Sequence, residues 1–206
     1  MARFVYFFGG GKTEARADMK EIVGGKGANL AEMCNLGMPV PAGFTISTTS
    51  CEHFYKNKRK WPKGLKEEIQ KNLKKLESVM KAKLGDPNKT LLVSVRSGAA
   101  ASMPGMMDTV LNLGLNEKVI EGLVKKTGND RFAWDAYRRF IQMFGDVVMN
   151  VPHHDFEAIL EKKKKSVNCA KPDYGLFYGD IELLDERVVL AVGVMFFHLL
   201  LVLCLT

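Results

Sequence analysis

The sequence lacks any close pairing of cysteines. Cys34, Cys51, Cys169 and Cys204 show no CxxC spacing, which excludes a zinc ribbon and a CxxC redox motif. The four histidines, His53, His153, His154 and His198, do not stand at metal-ligand spacing either, and His153 and His154 read as surface residues after Pro152. The thiols therefore read as free and the compartment as reducing, which makes the cytoplasm the expected location. The N-terminal run MARFVYFF lacks the longer apolar core and small-residue cleavage site of a signal peptide. No internal repeat or low-complexity linker interrupts the chain. Acidic residues are in the minority: 23 Asp and Glu face 30 Lys and Arg, for a net charge of +7. A basic balance invites anionic partners such as nucleotides. Much of the excess lies in Lys-rich helical stretches, and the loops lack the aromatic–basic interleaving of a single-strand binder. Nucleic acid is not an expected partner.

What is present suits a medium-sized globular domain: 47% of the 206 residues are hydrophobic and 26% charged. RFVYFF reads as a strand and GGGKT as a turn after it. A helix is expected from about Gly27 to Gly37, with Leu30, Met33 and Leu36 on its apolar face. Pro39 and Pro41 exclude helix from the next segment, PVPAGFTIS, which enters a strand. Leu65, Ile69, Leu73, Leu76, Met80 and Leu84 recur at helical spacing, so a helix is expected over 65–84. Asp86-Pro87-Asn88 breaks it. LLVSV (91–95) reads as a strand buried on both faces. Asn116 is placed to cap a helix running to about Lys126, with Gly128 as its stop. Ala133, Tyr137, Phe140, Ile141, Phe144 and Val148 form one stripe of the next helix, and a shorter one follows from Asp155. Strands and helices do not alternate regularly, which points to α+β or a divided α/β domain.

Several short motifs bear on chemistry. Gly11-Lys12-Thr13 suggests a phosphate loop, but that motif needs a glycine where Tyr6 stands, and a turn between strands is the better reading. Gly24-Gly25-Lys26-Gly27 sets one lysine among glycines just before a helix, where backbone amides and the positive helix end suit a phosphate. Arg96 follows the LLVSV strand, and a guanidinium at a strand's carboxyl end can clamp phosphate oxygens or close a structural ion pair. The loop Ser102-Met103-Pro104-Gly105-Met106-Met107-Asp108-Thr109 offers adaptable Met side chains for an adenine ring or for core filling. Arg138 and Arg139 differ by about 100° around their helix, so at most one faces a site.

In this order, GGKGANLAEM, GMPVPAGFTI, LLVSVRSGAAASMPGMMDTVLNLGLN and YRRFIQMFGDVVM resemble the N-terminal nucleotide-binding region of the pyruvate, phosphate dikinase family. The resemblance covers roughly residues 4–160, and the VRSGA and SMPGMMDT elements are its most specific part. It implies an α+β, ATP-grasp-like subdomain that is incomplete here. It also implies a reaction in which ATP, phosphate and pyruvate become AMP, diphosphate and phosphoenolpyruvate. By resemblance, Lys26 and Arg96 face nucleotide phosphates, Gly105 and Met107 line the nucleotide site, and Arg139 is a further site arginine. Family members are homodimers and use magnesium. The acidic metal ligands, the phosphocarrier histidine domain and the pyruvate-binding barrel lie in parts this chain does not include. The expected role is ATP or AMP binding without dikinase turnover. One departure is the segment after the glycine turn, where Thr13-Glu14-Ala15-Arg16-Ala17 replaces a sequence closer to AEGNA.

The resemblance is expected over residues 1–172, followed by an atypical apolar tail over 173–206. Residues 188–205 carry no formal charge over eighteen residues, which meets the lower bound for a membrane span. Three readings of the tail stand: a shifted reading frame or truncated gene model, a membrane anchor, or a buried terminal element. The anchor reading carries the alternative function, a non-catalytic membrane-associated interaction protein that keeps the dikinase-like fold.

Overall fold

The computed structural model describes residues 3–97 and 109–166. These fall into two compact units. Helices and small sheets are mixed, and the fold is α+β, as the irregular order of elements implied.

The first unit spans residues 3–82 with 96–97. Strand β1 (Val5–Gly9) lies at the centre of an antiparallel sheet, between β2 (Lys12–Thr13) and β3 (Gly43–Ile46). Gly10 and Gly11 connect β1 to β2 with φ of 62° and 73°, the left-handed pair that a two-residue hairpin turn requires. Lys12 is therefore an exposed strand residue, and the phosphate-loop reading of Gly11-Lys12-Thr13 is excluded.

Alternation along β1 serves two layers. Tyr6 packs with Ala15, Val23, Ala28 and Ala31, the cluster under helix α1 (Lys20–Asn35). Phe7 faces the other way, and Lys75 of helix α3 (Leu65–Met80) sits 4.0 Å from its ring centroid. Glu68 of α3 accepts the N–H groups of both Phe4 and Val5 at 2.9 Å, which fixes helix to strand. Glu14 makes a second tie. Its carboxylate accepts the Phe7 N–H at 2.8 Å and the Lys75 ammonium at 2.9 Å, and it pairs with Arg3.

Three expectations in this unit need correction. The apolar face of α1 is not Leu30, Met33 and Leu36: Met33 is 37% exposed and Leu36 73%. The buried face is Val23, Gly27, Ala28, Ala31 and Cys34. Small residues win because the helix lies close to β3, where a Cβ on Gly27 would come within 3.2 Å of Thr45 Cγ2. The helix expected over 65–84 ends at Met80, because Lys81 takes a left-handed conformation (φ 51°) and turns the chain out. Helix α2 (Thr48–Lys56) was not foreseen at all.

The second unit comprises residues 83–95 and 109–166. Strands β4 (Lys83–Leu84) and β5 (Thr90–Leu91) pair in parallel across a turn in which Asp86 Oδ1 accepts the N–H groups of Asn88 and Lys89 at 2.8 and 2.9 Å. Strand β6 (Val93–Arg96), whose last residue falls in the first unit, pairs with β7 (Thr109–Leu113). LLVSV is thus split between β5 and β6, and it is not buried on both faces. Leu91 is buried, Leu92 is 37% exposed and Ser94 is exposed, because each strand belongs to a sheet of only two. Helix α4 (Glu117–Thr127) begins where Asn116 Oδ1 accepts the Val119 N–H, and it stops at left-handed Gly128. Helix α5 (Asp130–Met149) buries the whole expected stripe from Ala133 to Val148 and packs on β7, α4 and α6 (His153–Ser166). Its Tyr137 hydroxyl is pushed above the usual tyrosine range, chiefly by burial and then by Glu117.

No helix among the described residues is long and apolar enough to cross a membrane. The expected span at 188–205, with the whole 173–206 tail, lies outside them.

Candidate functional site

The Gly24-Gly25-Lys26-Gly27 motif sits inside α1, not just ahead of a helix. Gly24 interrupts the helix with φ 69° and ψ 170°, a conformation nearly confined to glycine. The chain turns helical for Lys20–Val23, breaks at Gly24 and becomes helical again up to Asn35. Lys26 therefore stands in the first turn of a helical segment, as the phosphate reading required. The carbonyls of Glu21 and Ile22, just before the break, accept the Thr48 hydroxyl at 2.5 and 3.3 Å.

The exposed Lys26 side chain reaches a residue 71 positions away. Its ammonium donates to the carbonyl of Ser97 at 3.3 Å. Ser97 is buried and directly follows Arg96, the exposed last residue of β6. The structure thus brings the glycine-flanked lysine to the strand end that carries the arginine. An ammonium has three donors, and among the described residues one is used on Ser97. Among the described residues Arg96 makes no ion pair, so the structural-pair reading gains no partner. Two cations beside a helix start and a strand end can neutralise and orient phosphate oxygens.

Arg138 and Arg139 share one acceptor. Asp135 Oδ1 takes Arg138 Nη2 at 2.9 Å, and Asp135 Oδ2 takes Arg139 Nε at 2.8 Å. Arg138 also donates to Gln142 at 2.9 Å and is 17% exposed, whereas Arg139 is 62% exposed. The guanidinium assigned to the site by resemblance is the outward one. Gly105 and Met107 lie outside the described residues. Among the described residues no group of three or more His, Cys, Asp or Glu is placed to hold a metal ion, so no step is assigned to magnesium. Reading the residues singly misses the Ser97 carbonyl, since a backbone acceptor has no side-chain signature. It also misses Thr48, whose place at the start of α2 suggests a cap for its own helix.

The family model for the pyruvate phosphate dikinase AMP/ATP-binding domain matches residues 20–79 and 57–195. The chain belongs to this family. Pyruvate, phosphate dikinase of Rhizobium meliloti (strain 1021) is 55% identical over 164 residues, which cover 80% of this chain and 18% of that protein. The chloroplastic pyruvate, phosphate dikinase of Flaveria pringlei is 58% identical over 160 residues, 78% of this chain and 17% of the relative. Chloroplastic pyruvate, phosphate dikinase 1 of Arabidopsis thaliana is 52% identical over 183 residues, 89% of this chain and 19% of the relative. The chain therefore spans less than a fifth of the length of these pyruvate, phosphate dikinases. The family match includes the glycine–lysine turn, Arg96 and the Arg138–Arg139 pair, and it enters the apolar tail as far as residue 195.

Proposed function

We propose that this chain supplies the phosphate-gripping part of an ATP site of the pyruvate, phosphate dikinase type. The observation that carries the reading is the meeting of Lys26 with the Arg96–Ser97 strand end at 3.3 Å. Two positive groups from distant parts of the sequence converge beside a helix start, the arrangement a triphosphate needs. At an effective dielectric of about 20, a unit charge pair at 4 Å is worth about 4 kcal/mol before desolvation. Phosphoryl transfer depends chiefly on such positioning and charge stabilisation. Gly105, Met107 and Arg139 join the site in this reading. Arg139 suits that role by being the exposed member of its pair.

The chain alone carries no dikinase turnover, because the phosphocarrier histidine and the pyruvate-binding part belong to the longer relatives. A coupled assay that found phosphoenolpyruvate made by the purified chain would overturn this. Isothermal titration of the chain with ATP and magnesium tests the binding itself. Lys26→Ala and Arg96→Ala should each weaken affinity by about tenfold or more, the loss expected for one charge-assisted contact. Undiminished ATP affinity in both variants would refute the assignment.

A further inference from the structure

We propose that Thr48 is the positioning residue of the glycine–lysine turn: its hydroxyl holds the break at Gly24 and so aims Lys26. The inference deepens the phosphate reading of Lys26 and rests on it for its functional meaning.

In an uninterrupted helix, each carbonyl accepts the N–H four residues on. The carbonyls of Glu21 and Ile22 would then bind the amides of Gly25 and Lys26. These are the two carbonyls that the Thr48 hydroxyl occupies, at 2.5 and 3.3 Å. One hydroxyl proton serves both, shared or alternating between them. The bond comes from outside α1, since Thr48 is the first residue of α2. It therefore satisfies acceptors that a helix end otherwise leaves orphaned. With those carbonyls engaged, the amides of Gly25 and Lys26 become the starting amides of the second helical segment. Such amides favour an anion.

Thr48 is not needed at its own helix start. Ser47, fully buried, precedes α2, and its hydroxyl bonds Thr49 Oγ1 at 2.7 Å and Ser50 Oγ at 3.1 Å. The Thr48 side chain turns instead to α1. Gly24 makes the break sterically possible, and Thr48 compensates the acceptors it exposes. Without the hydroxyl, the competing state is a continuous helix in which Gly25 and Lys26 N–H groups are spent internally. Lys26 then leaves the Ser97 carbonyl.

The test uses the full chain with Thr48→Val, which keeps the shape and removes the hydroxyl, and Thr48→Ser, which keeps the hydroxyl. Amide hydrogen exchange is followed at Gly25 and Lys26 without nucleotide, and at Ile69 as a reporter of the core. Thr48→Val should change exchange at Gly25 and Lys26 by about tenfold, the effect of one hydrogen bond, and leave Ile69 unaltered. Thr48→Ser should match the parent chain. ATP affinity by titration should fall about tenfold in Thr48→Val and return in Thr48→Ser. Unchanged exchange at Gly25 and Lys26 in Thr48→Val overturns the proposal. So does an equal change at Ile69, which would make the role one of global stability, and so does a failure of Thr48→Ser to restore the parent pattern. If exchange responds as expected while the parent chain binds no ATP, Thr48 still holds the break, and it is the nucleotide reading that falls.

Discussion

Gly24 and Gly25 are neighbours in sequence, yet alanine at each should act with opposite sign. Gly24 has φ 69° and ψ 170°, a region that residues with a Cβ enter at a cost of about 1–3 kcal/mol. Gly25 belongs to the helical segment that follows, and a Cβ there meets nothing closer than Lys20 Cε at 3.5 Å, ordinary contact distance. Replacing a helical glycine with alanine gains about 1 kcal/mol of helix propensity. Either substitution also restricts the unfolded chain by a similar amount, so that effect cancels in the comparison. Gly25→Ala should therefore exceed Gly24→Ala in unfolding free energy by about 2–4 kcal/mol, the sum of strain and propensity. Urea denaturation of both variants, followed by circular dichroism, measures the gap. Two variants equal within about 0.5 kcal/mol, a spread ordinary for surface substitutions, would show that the helix is not broken at Gly24.

Two further outcomes follow from other contacts. Burial raises the Glu14 carboxyl, but the Phe7 amide, Lys75 and Arg3 together outweigh it and hold the group below the ordinary glutamate value of 4.5. Its contribution is therefore present above that value and lost as pH falls through the folded one, so Glu14→Gln should flatten the acid limb of a denaturation–pH profile, and an unchanged limb would contradict the network. Phe144 is 1% exposed and its ring centroid lies 5.8 Å from that of Phe140, so Phe144→Ala should cost about 3–5 kcal/mol in chemical denaturation, and a loss below about 1 kcal/mol would refute its place in the core.

The helices differ in how plainly the sequence announces them. Helix α5 was legible because its large apolar residues, Tyr137, Phe140, Ile141, Phe144 and Val148, all face the core at helical spacing. In α1 the same reasoning chose Leu30, Met33 and Leu36, whereas the core takes Gly27, Ala28, Ala31 and Cys34. Bulk misleads wherever a close approach between backbones decides which face is buried. Helix α2 escaped notice because Thr48-Thr49-Ser50-Cys51 are indifferent helix formers, and its stability comes from packing of Phe54 and Ser50. At the candidate site, the glycines and Lys26 pointed to phosphate, and Arg96 was placed at a strand end as observed. The convergence of the two segments was not legible from spacing, because a contact to the Ser97 carbonyl depends on the folded path of the backbone.

The bend at Gly24 is specified early in the chain. The strands β1, β2 and β3, helix α1 and the Thr48 hydroxyl all lie within residues 5–48, and the sheet they form is antiparallel and local. Short-range contacts of this kind form quickly. Ser97 is made 71 residues after Lys26, an interval of about 4–14 s at a synthesis rate of roughly 5–20 residues per second. During translation, the lysine turn is thus encoded in full before its carbonyl partner exists. The strand end bearing Arg96 then docks onto a turn already shaped to receive it, and a delay in making that strand leaves the turn waiting without disturbing its geometry.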